Sequence, residues 1–131
     1  MSQYIIRLTI IGAGGFSGAI LRYLISGWVQ DRSGSIIFPY GTFAVNLMGC
    51  LVIGFLSYLV ETRALLSVET RSFLLIGLLG AFTTFSTFGN ESLMLIREGH
   101  MELAAANILG QTTLGIGMVW LGRVLAASIW R

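Results

Sequence analysis

Apolar residues fill four long stretches, at roughly 4–27, 37–60, 72–96 and 103–129, and short polar connections separate them. Each stretch is long enough to cross a hydrocarbon core of about 30 Å as an α-helix. The first connection holds Asp31-Arg32-Ser33-Gly34-Ser35 and ends at the only proline, Pro39. The second carries Glu61-Thr62-Arg63 and Glu69-Thr70-Arg71, and the third is Arg97-Glu98-Gly99-His100. The stretches are apolar all round and do not alternate as barrel strands would. Lipid cannot satisfy free backbone groups, so each must pair its own amides and carbonyls along a helix. The pattern predicts an all-α integral membrane protein, one four-helix domain over residues 1–131, spanning a cell membrane several times.

Composition agrees with that prediction: 55% of the residues are hydrophobic and 11% charged, outside the range of ordinary soluble domains. The basic residues are all arginines, set singly along the chain, so no cluster exists to grip nucleic acid. Isolated arginines beside apolar spans act as interfacial anchors, as do Trp28, Trp120 and Trp130. The start, MSQYIIRLTIIGAGG, lacks a small-residue cleavage site before a polar domain and is expected to stay as the first span. Within that span Arg22 is expected to face a vestibule, since a guanidinium at bilayer depth needs protein or water beside it. Four spans put Arg7, Arg63, Arg71, Arg123 and Arg131 on one side and Arg22, Arg32 and Arg97 on the other. So small a bias permits insertion in both orientations, and with it an antiparallel homodimer. Cys50 stands alone in an apolar run and reads as packing, and His100 as a solvated loop residue.

Small and polar residues recur at helical spacing inside the spans. Gly14, Gly18 and Arg22 fall one turn apart on one face, and Thr42, Asn46 and Gly49 form a second stripe. Asn107 and Gln111 form a third, followed by Thr112 and Thr113. An unpaired amide in hydrocarbon costs several kcal/mol, so Asn46 must either join two helices or line a wet path. Three spans that each contribute amides or hydroxyls leave helix association and a polar pathway both open.

The third stretch departs most from an ordinary span. Gly77 and Gly80 precede TTFSTF, Thr83 to Phe88, a run poor in helix propensity, which predicts a helix interrupted near mid-membrane. The hydroxyls of Thr83, Thr84, Ser86 and Thr87 offer donors, and Phe85 and Phe88 offer electropositive ring edges. Both favour an anion. Glu91 is the one acid near this run, too few carboxylates for cation binding or proton coupling. Several weak donors suit a conduit, since an ion must enter and also leave.

With those residues in view, the sequence resembles the Fluc, or CrcB, family of fluoride channels over essentially its whole length. The resemblance rests on GGFSGAILRY at 14–23, GTFAVNLMGCLVIG at 41–54 and GLLGAFTTFSTFGNES at 77–92, in that order. It implies a dual-topology antiparallel homodimer of four-helix subunits, with a break in the third helix and two pores that pass fluoride passively. It also implies a role in lowering cytoplasmic fluoride toxicity, with no protein partner beyond the second copy. By the same resemblance Phe85 and Phe88 are pore-lining aromatics, Ser86 and Thr87 a hydroxyl track, and Asn46 a pore asparagine. Asn107 and Gln111 join the pore by spacing and polarity. Arg22, Thr42, Thr84, Glu91 and Thr113 take vestibule or supporting places. A structural sodium ion at the dimer axis would be held by the carbonyls of Gly80 and Thr83. The sequence departs from the family pattern at Gly80-Ala81, where a glycine pair is expected, and at Gly89-Asn90.

Two other readings remain beside a channel. A small proton-coupled exporter has a similar length and topology but needs an acid inside the first apolar stretch, which has none. A non-transporting scaffold would use the polar stripes for association alone. Catalysis finds no metal site and no nucleophile with a base in this sequence.

Overall fold

The computed structural model describes residues 1–63 and 65–130, with the side chain of Arg63 outside the description. The charges of Arg63 and Arg131 that entered the orientation argument therefore lie outside the described residues. All regular structure among the described residues is helical: α1 (Ser2–Ser33), α2 (Tyr40–Arg63), α3 (Val68–Arg71), a π-helical segment (Ser72–Leu79), α4 (Gly80–Phe82), α5 (Phe85–Arg97) and α6 (Met101–Ile129). Four helical spans are long and apolar enough to cross a membrane: Ser2–Ser33, Tyr40–Thr62, Val68–Arg97 and Met101–Ile129.

Helix ends follow local chemistry. α1 runs past the expected residue 27 and takes in Asp31, Arg32 and Ser33. Arg32 lies over the Trp28 ring at 5.5 Å, and the Ser33 hydroxyl turns back to the Gln30 carbonyl, so the polar residues are accommodated as a last helical turn. Gly34, with φ 64°, then ends the helix in a left-handed cap that other residues enter at a cost. Pro39 precedes the first turn of α2, where its missing N–H is not needed. Ser67 caps α3 by accepting the Thr70 N–H.

Two close helix crossings organise the spans. Between α1 and the π-helical segment, a methyl group added at Gly14 would strike the Phe73 carbonyl oxygen, and one at Gly18 the Leu78 carbonyl oxygen. Gly77 meets α1 reciprocally at the Ile11 carbonyl, 2.6 Å from where a Cβ would stand. Between α2 and α6 the same relation holds for Gly54 with Val119 and for Gly122 with Leu51. Glycine lets the backbones touch, and dispersion then holds helices that lipid would otherwise solvate equally well. Val45, Leu79 and Phe82 form the buried core between these pairs, with Ile25, Leu56, Leu75 and Leu78 against it. At one end Arg123 meets Glu61 at 2.7 Å, and Arg7 and Glu69 border one surface hollow.

Candidate functional site

The third span breaks after Phe82. Thr83 (φ −92°, ψ 159°) and Thr84 (φ −151°, ψ 111°) are extended, and α5 restarts at Phe85 with the Thr84 hydroxyl capping the Thr87 N–H at 3.2 Å. Gly77 and Gly80 stay helical, so the interruption falls on the threonine pair. Two β-branched residues fit an extended backbone, and Gly49 leaves room on α2 for the Thr83 methyl.

An interruption inside a membrane span frees backbone groups that must find partners. The Thr83 N–H still closes the preceding turn on the Leu79 carbonyl at 3.1 Å. The Thr84 N–H donates instead to Asn46 Oδ1 at 2.9 Å, and Asn46 Nδ2 donates to the Thr84 carbonyl at 3.3 Å. Arg22 donates from Nε to the Ala81 carbonyl at 3.0 Å, which places the guanidinium against the break. In an unbroken helix the Gly80 carbonyl would take the Thr84 N–H, and the Thr83 carbonyl the Thr87 N–H. Those donors now serve Asn46 Oδ1 and Thr84 Oγ1. The Gly80 and Thr83 carbonyls are thus two of the carbonyl oxygens at the break whose helical donors point elsewhere, and uncharged hard oxygens of this kind fit a monovalent cation.

A continuous polar chain leaves the break. Asn46 Nδ2 donates to Gln111 Oε1 at 2.7 Å and Gln111 Nε2 to Asn107 Oδ1 at 2.9 Å. Asn107 Nδ2 then donates to Ser92 Oγ at 2.9 Å, and Ser92 Oγ to the Phe88 carbonyl at 2.8 Å. A hollow of roughly 400 Å³ opens beside this chain, bordered by Asn46, Gly80, Thr83, Thr84, Phe85, Phe88 and Gln111. The Phe85 and Phe88 rings stand 5.5 Å apart at 49°, and Phe85 is 83% exposed in the single chain. Ser86 is exposed, while Thr87 accepts a 2.8 Å bond from the Thr84 hydroxyl.

The predicted residues do not all meet there. Asn107 is fully buried behind Gln111 and does not border the hollow. Thr113 is exposed and bonds its own helix at the Leu109 carbonyl, whereas its neighbour Thr112 borders the hollow. Thr42 and Glu91 form a separate pair: the Thr42 hydroxyl donates to Glu91 Oε1 at 2.7 Å beside a second hollow that Gln30 and Phe38 also border. The buried Glu91 Oε2 has no hydrogen-bond partner among the described residues. Sequence reasoning missed Ser92, which lies one turn beyond Phe88, and the place of Cys50 on the wall of the first hollow. Helical spacing from Phe88 was a signal for the first. Helical spacing from Asn46, four residues earlier on α2, was a signal for the second.

Residues 9–123 match the family model for CrcB-like protein, Camphor Resistance (CrcB). The chain belongs to the CrcB family. This CrcB-family chain is 44% identical over 122 residues to fluoride-specific ion channel FluC 1 of Methanosarcina acetivorans, a match covering 93% of this chain and 92% of that protein. It is 46% identical over 125 residues to fluoride-specific ion channel FluC of Methanocaldococcus jannaschii, covering 95% and 98%. It is also 46% identical over 121 residues to the protein of that name from Maridesulfovibrio salexigens, covering 89% and 95%.

Proposed function

We infer that this CrcB-family protein is a passive, fluoride-selective channel of the cell membrane that lets cytoplasmic fluoride leave and so limits its toxicity. The observation that carries this reading is the near full-length similarity to relatives named as fluoride-specific ion channels. The hollow at the helix break supplies suitable chemistry. Its wall offers the Gln111 amide and two phenylalanine rings, while the Thr83, Thr84 and Thr112 hydroxyls there donate within the protein, and among the described residues no lysine or arginine side chain borders it to trap an anion. Phe85, Phe88, Ser86, Thr87 and Gln111 contact the ion along its path. Asn46 stands in the wall and the buried Asn107 lies behind it, and both tie to Gln111.

The functional unit is an antiparallel homodimer inserted in both orientations. The exposure of Phe85 and the open side of its hollow support this arrangement, since a second copy would cover both. Gly80 and Thr83 of each copy hold a structural sodium ion at the dimer axis, where the cation would tie the two breaks together. Arg22, Thr42, Thr84 and Glu91 support the path and its entrances, and Thr113 stands outside the first hollow.

Purified protein in liposomes, under a potassium–valinomycin shunt, tests the reading. Fast fluoride loss with chloride retained is expected, and a folded protein that releases no fluoride would end it. For topology, a cysteine introduced at Glu98 should label from both sides of the membrane. For the cation, replacing sodium by a large organic cation should lower the thermal midpoint of the purified protein.

A further inference from the structure

Away from the break, the outer ends of the first and third spans bring two opposite charges to one place. α1 has 32 residues and is about 48 Å long, against a hydrocarbon core of about 30 Å, so its end turns stand among the lipid headgroups. Arg7 lies near one end, and Arg32, over the Trp28 ring, near the other. About 38 Å of helix separates the two arginines, which reaches from one headgroup layer to the other. The glycine crossing sets the third span beside α1 in the same direction, since Gly14 meets Phe73 and, one turn on, Gly18 meets Leu78. Followed back toward its start, α1 reaches Arg7 about two turns before Gly14, and the third span reaches Glu69 about one turn before Phe73. Both charges therefore come to the same headgroup layer.

Between them is a hollow of roughly 480 Å³, bordered by Gln3, Tyr4, Ile6, Arg7, Ile10 and Glu69. The ion pair found among the described residues is Arg123 with Glu61, so Arg7 and Glu69 share the hollow without closing on each other. Arg71, the next cation of that turn, donates to the Leu66 carbonyl at 3.1 Å and does not border the hollow. Ile6 and Ile10 lie one helical turn apart, with Ile10 toward the crossing, so the wall turns apolar in the direction of the membrane core. Tyr4 is exposed at the outer side, where an aromatic ring with a hydroxyl suits the interface.

We propose that this hollow binds the headgroup of a zwitterionic aminophospholipid. The phosphate sits on the Arg7 guanidinium, the primary ammonium on the Glu69 carboxylate, and the start of an acyl chain along Ile6 and Ile10. A guanidinium offers paired N–H donors to phosphate oxygens, and a primary ammonium has three hydrogens for a carboxylate. A phosphoglycerol headgroup would meet Arg7 but set its negative charge near Glu69 with no cation to answer it. A phosphocholine headgroup carries the cation without an N–H. The hollow shares no residue with the one at the break, and the proposal stands on the membrane setting and not on the channel reading.

Native mass spectrometry tests the site on the full-length protein, purified in detergent and given equal amounts of dioleoyl lipids with phosphoethanolamine, phosphocholine and phosphoglycerol headgroups. The phosphoethanolamine lipid should be retained about fivefold more than either competitor, the scale of an exposed charge contact. Equal retention of the three would overturn the proposal. Arg7 and Glu69 are exposed, so their variants should fold. Glu69→Gln should abolish the preference and raise retention of the phosphoglycerol lipid about fivefold, and an unchanged preference would overturn the ammonium contact. Glu61→Gln removes an exposed carboxylate elsewhere and should leave the preference intact; its loss there would make net charge, and not this hollow, the cause. Arg7→Gln should lower retention of the phosphoethanolamine and phosphoglycerol lipids alike, and unchanged retention would remove the phosphate contact. Glycerophosphoethanolamine, the same headgroup without acyl chains, should fail to displace the lipid at equal concentration, and displacement would remove the contact with Ile6 and Ile10. A protein that retained the lipid in this pattern yet passed no fluoride would lose the channel reading and keep this site.

Discussion

Where α1 crosses the π-helical segment, Gly14, Gly18 and Gly77 bring backbone against backbone. A few residues further along the same span, the backbone opens at Thr83 and Thr84 and is held by Asn46 and Arg22 from neighbouring helices. Both regions bury peptide groups at membrane depth, and they meet the same constraint differently. The crossing keeps its helical hydrogen bonds and gains dispersion, so it is dry and inert. The break gives up some helical bonds and replaces them with side-chain donors and acceptors, which leaves carbonyls and amide hydrogens facing a hollow. Chemistry is available only in the second region, and the first holds the frame against which it opens.

Substitutions can break or sharpen that contrast. The largest effect is expected from Gly18→Val at the crossing, where the new side chain meets the Leu78 backbone and neither can yield. Overpacking of this kind should cost about 3 kcal/mol, read as a lower unfolding midpoint in detergent. A midpoint near that of the unaltered protein would show the contact to be looser than described. Arg22→Leu strips the Ala81 carbonyl of its charged donor and should cost about 2 kcal/mol in the same measurement. A change that small would leave room to ask whether flux falls too. Phe88→Ile keeps an apolar side chain but removes the ring edge. It should leave the protein folded and lower fluoride flux about tenfold, equivalent to roughly 1.4 kcal/mol in the barrier. Unchanged flux in folded protein would remove the ring-edge proposal. The smallest effect belongs to Glu61→Gln, which breaks the exposed pair with Arg123. Water and salt already screen such pairs, so neither midpoint nor flux should change measurably.

Much of this architecture was legible in the sequence because lipid is an undemanding reader. Any apolar run of sufficient length must become a helix, so the four spans could be located from hydropathy alone. Their ends were less legible: α1 extends through Asp31 and Arg32 because arginine can lie along Trp28 and Gly34 supplies a local stop. The break was legible as a region, from glycines followed by hydroxyls and aromatics, but not as the pair Thr83–Thr84. Gly77 and Gly80 were the better candidates by propensity. Tertiary contacts overrode that preference, since Gly77 is needed helical against α1 and Gly49 makes a place for the Thr83 methyl.

The sequence by itself determined the membrane setting, the four helices, the glycine stripes and the group of residues rich in uncharged donors. Each follows from a local rule: span length, helical spacing or side-chain chemistry. Only the tertiary structure decided which of those donors are spent and which remain. Asn46 lies 38 residues from Thr84 and 65 from Gln111, and both contacts form through helices that meet elsewhere. A polar residue's spacing tells which face it occupies. Its hydrogen-bond partners depend on what the facing helix presents, and that separates the buried Asn107 from Asn46 and Gln111 beside the hollow.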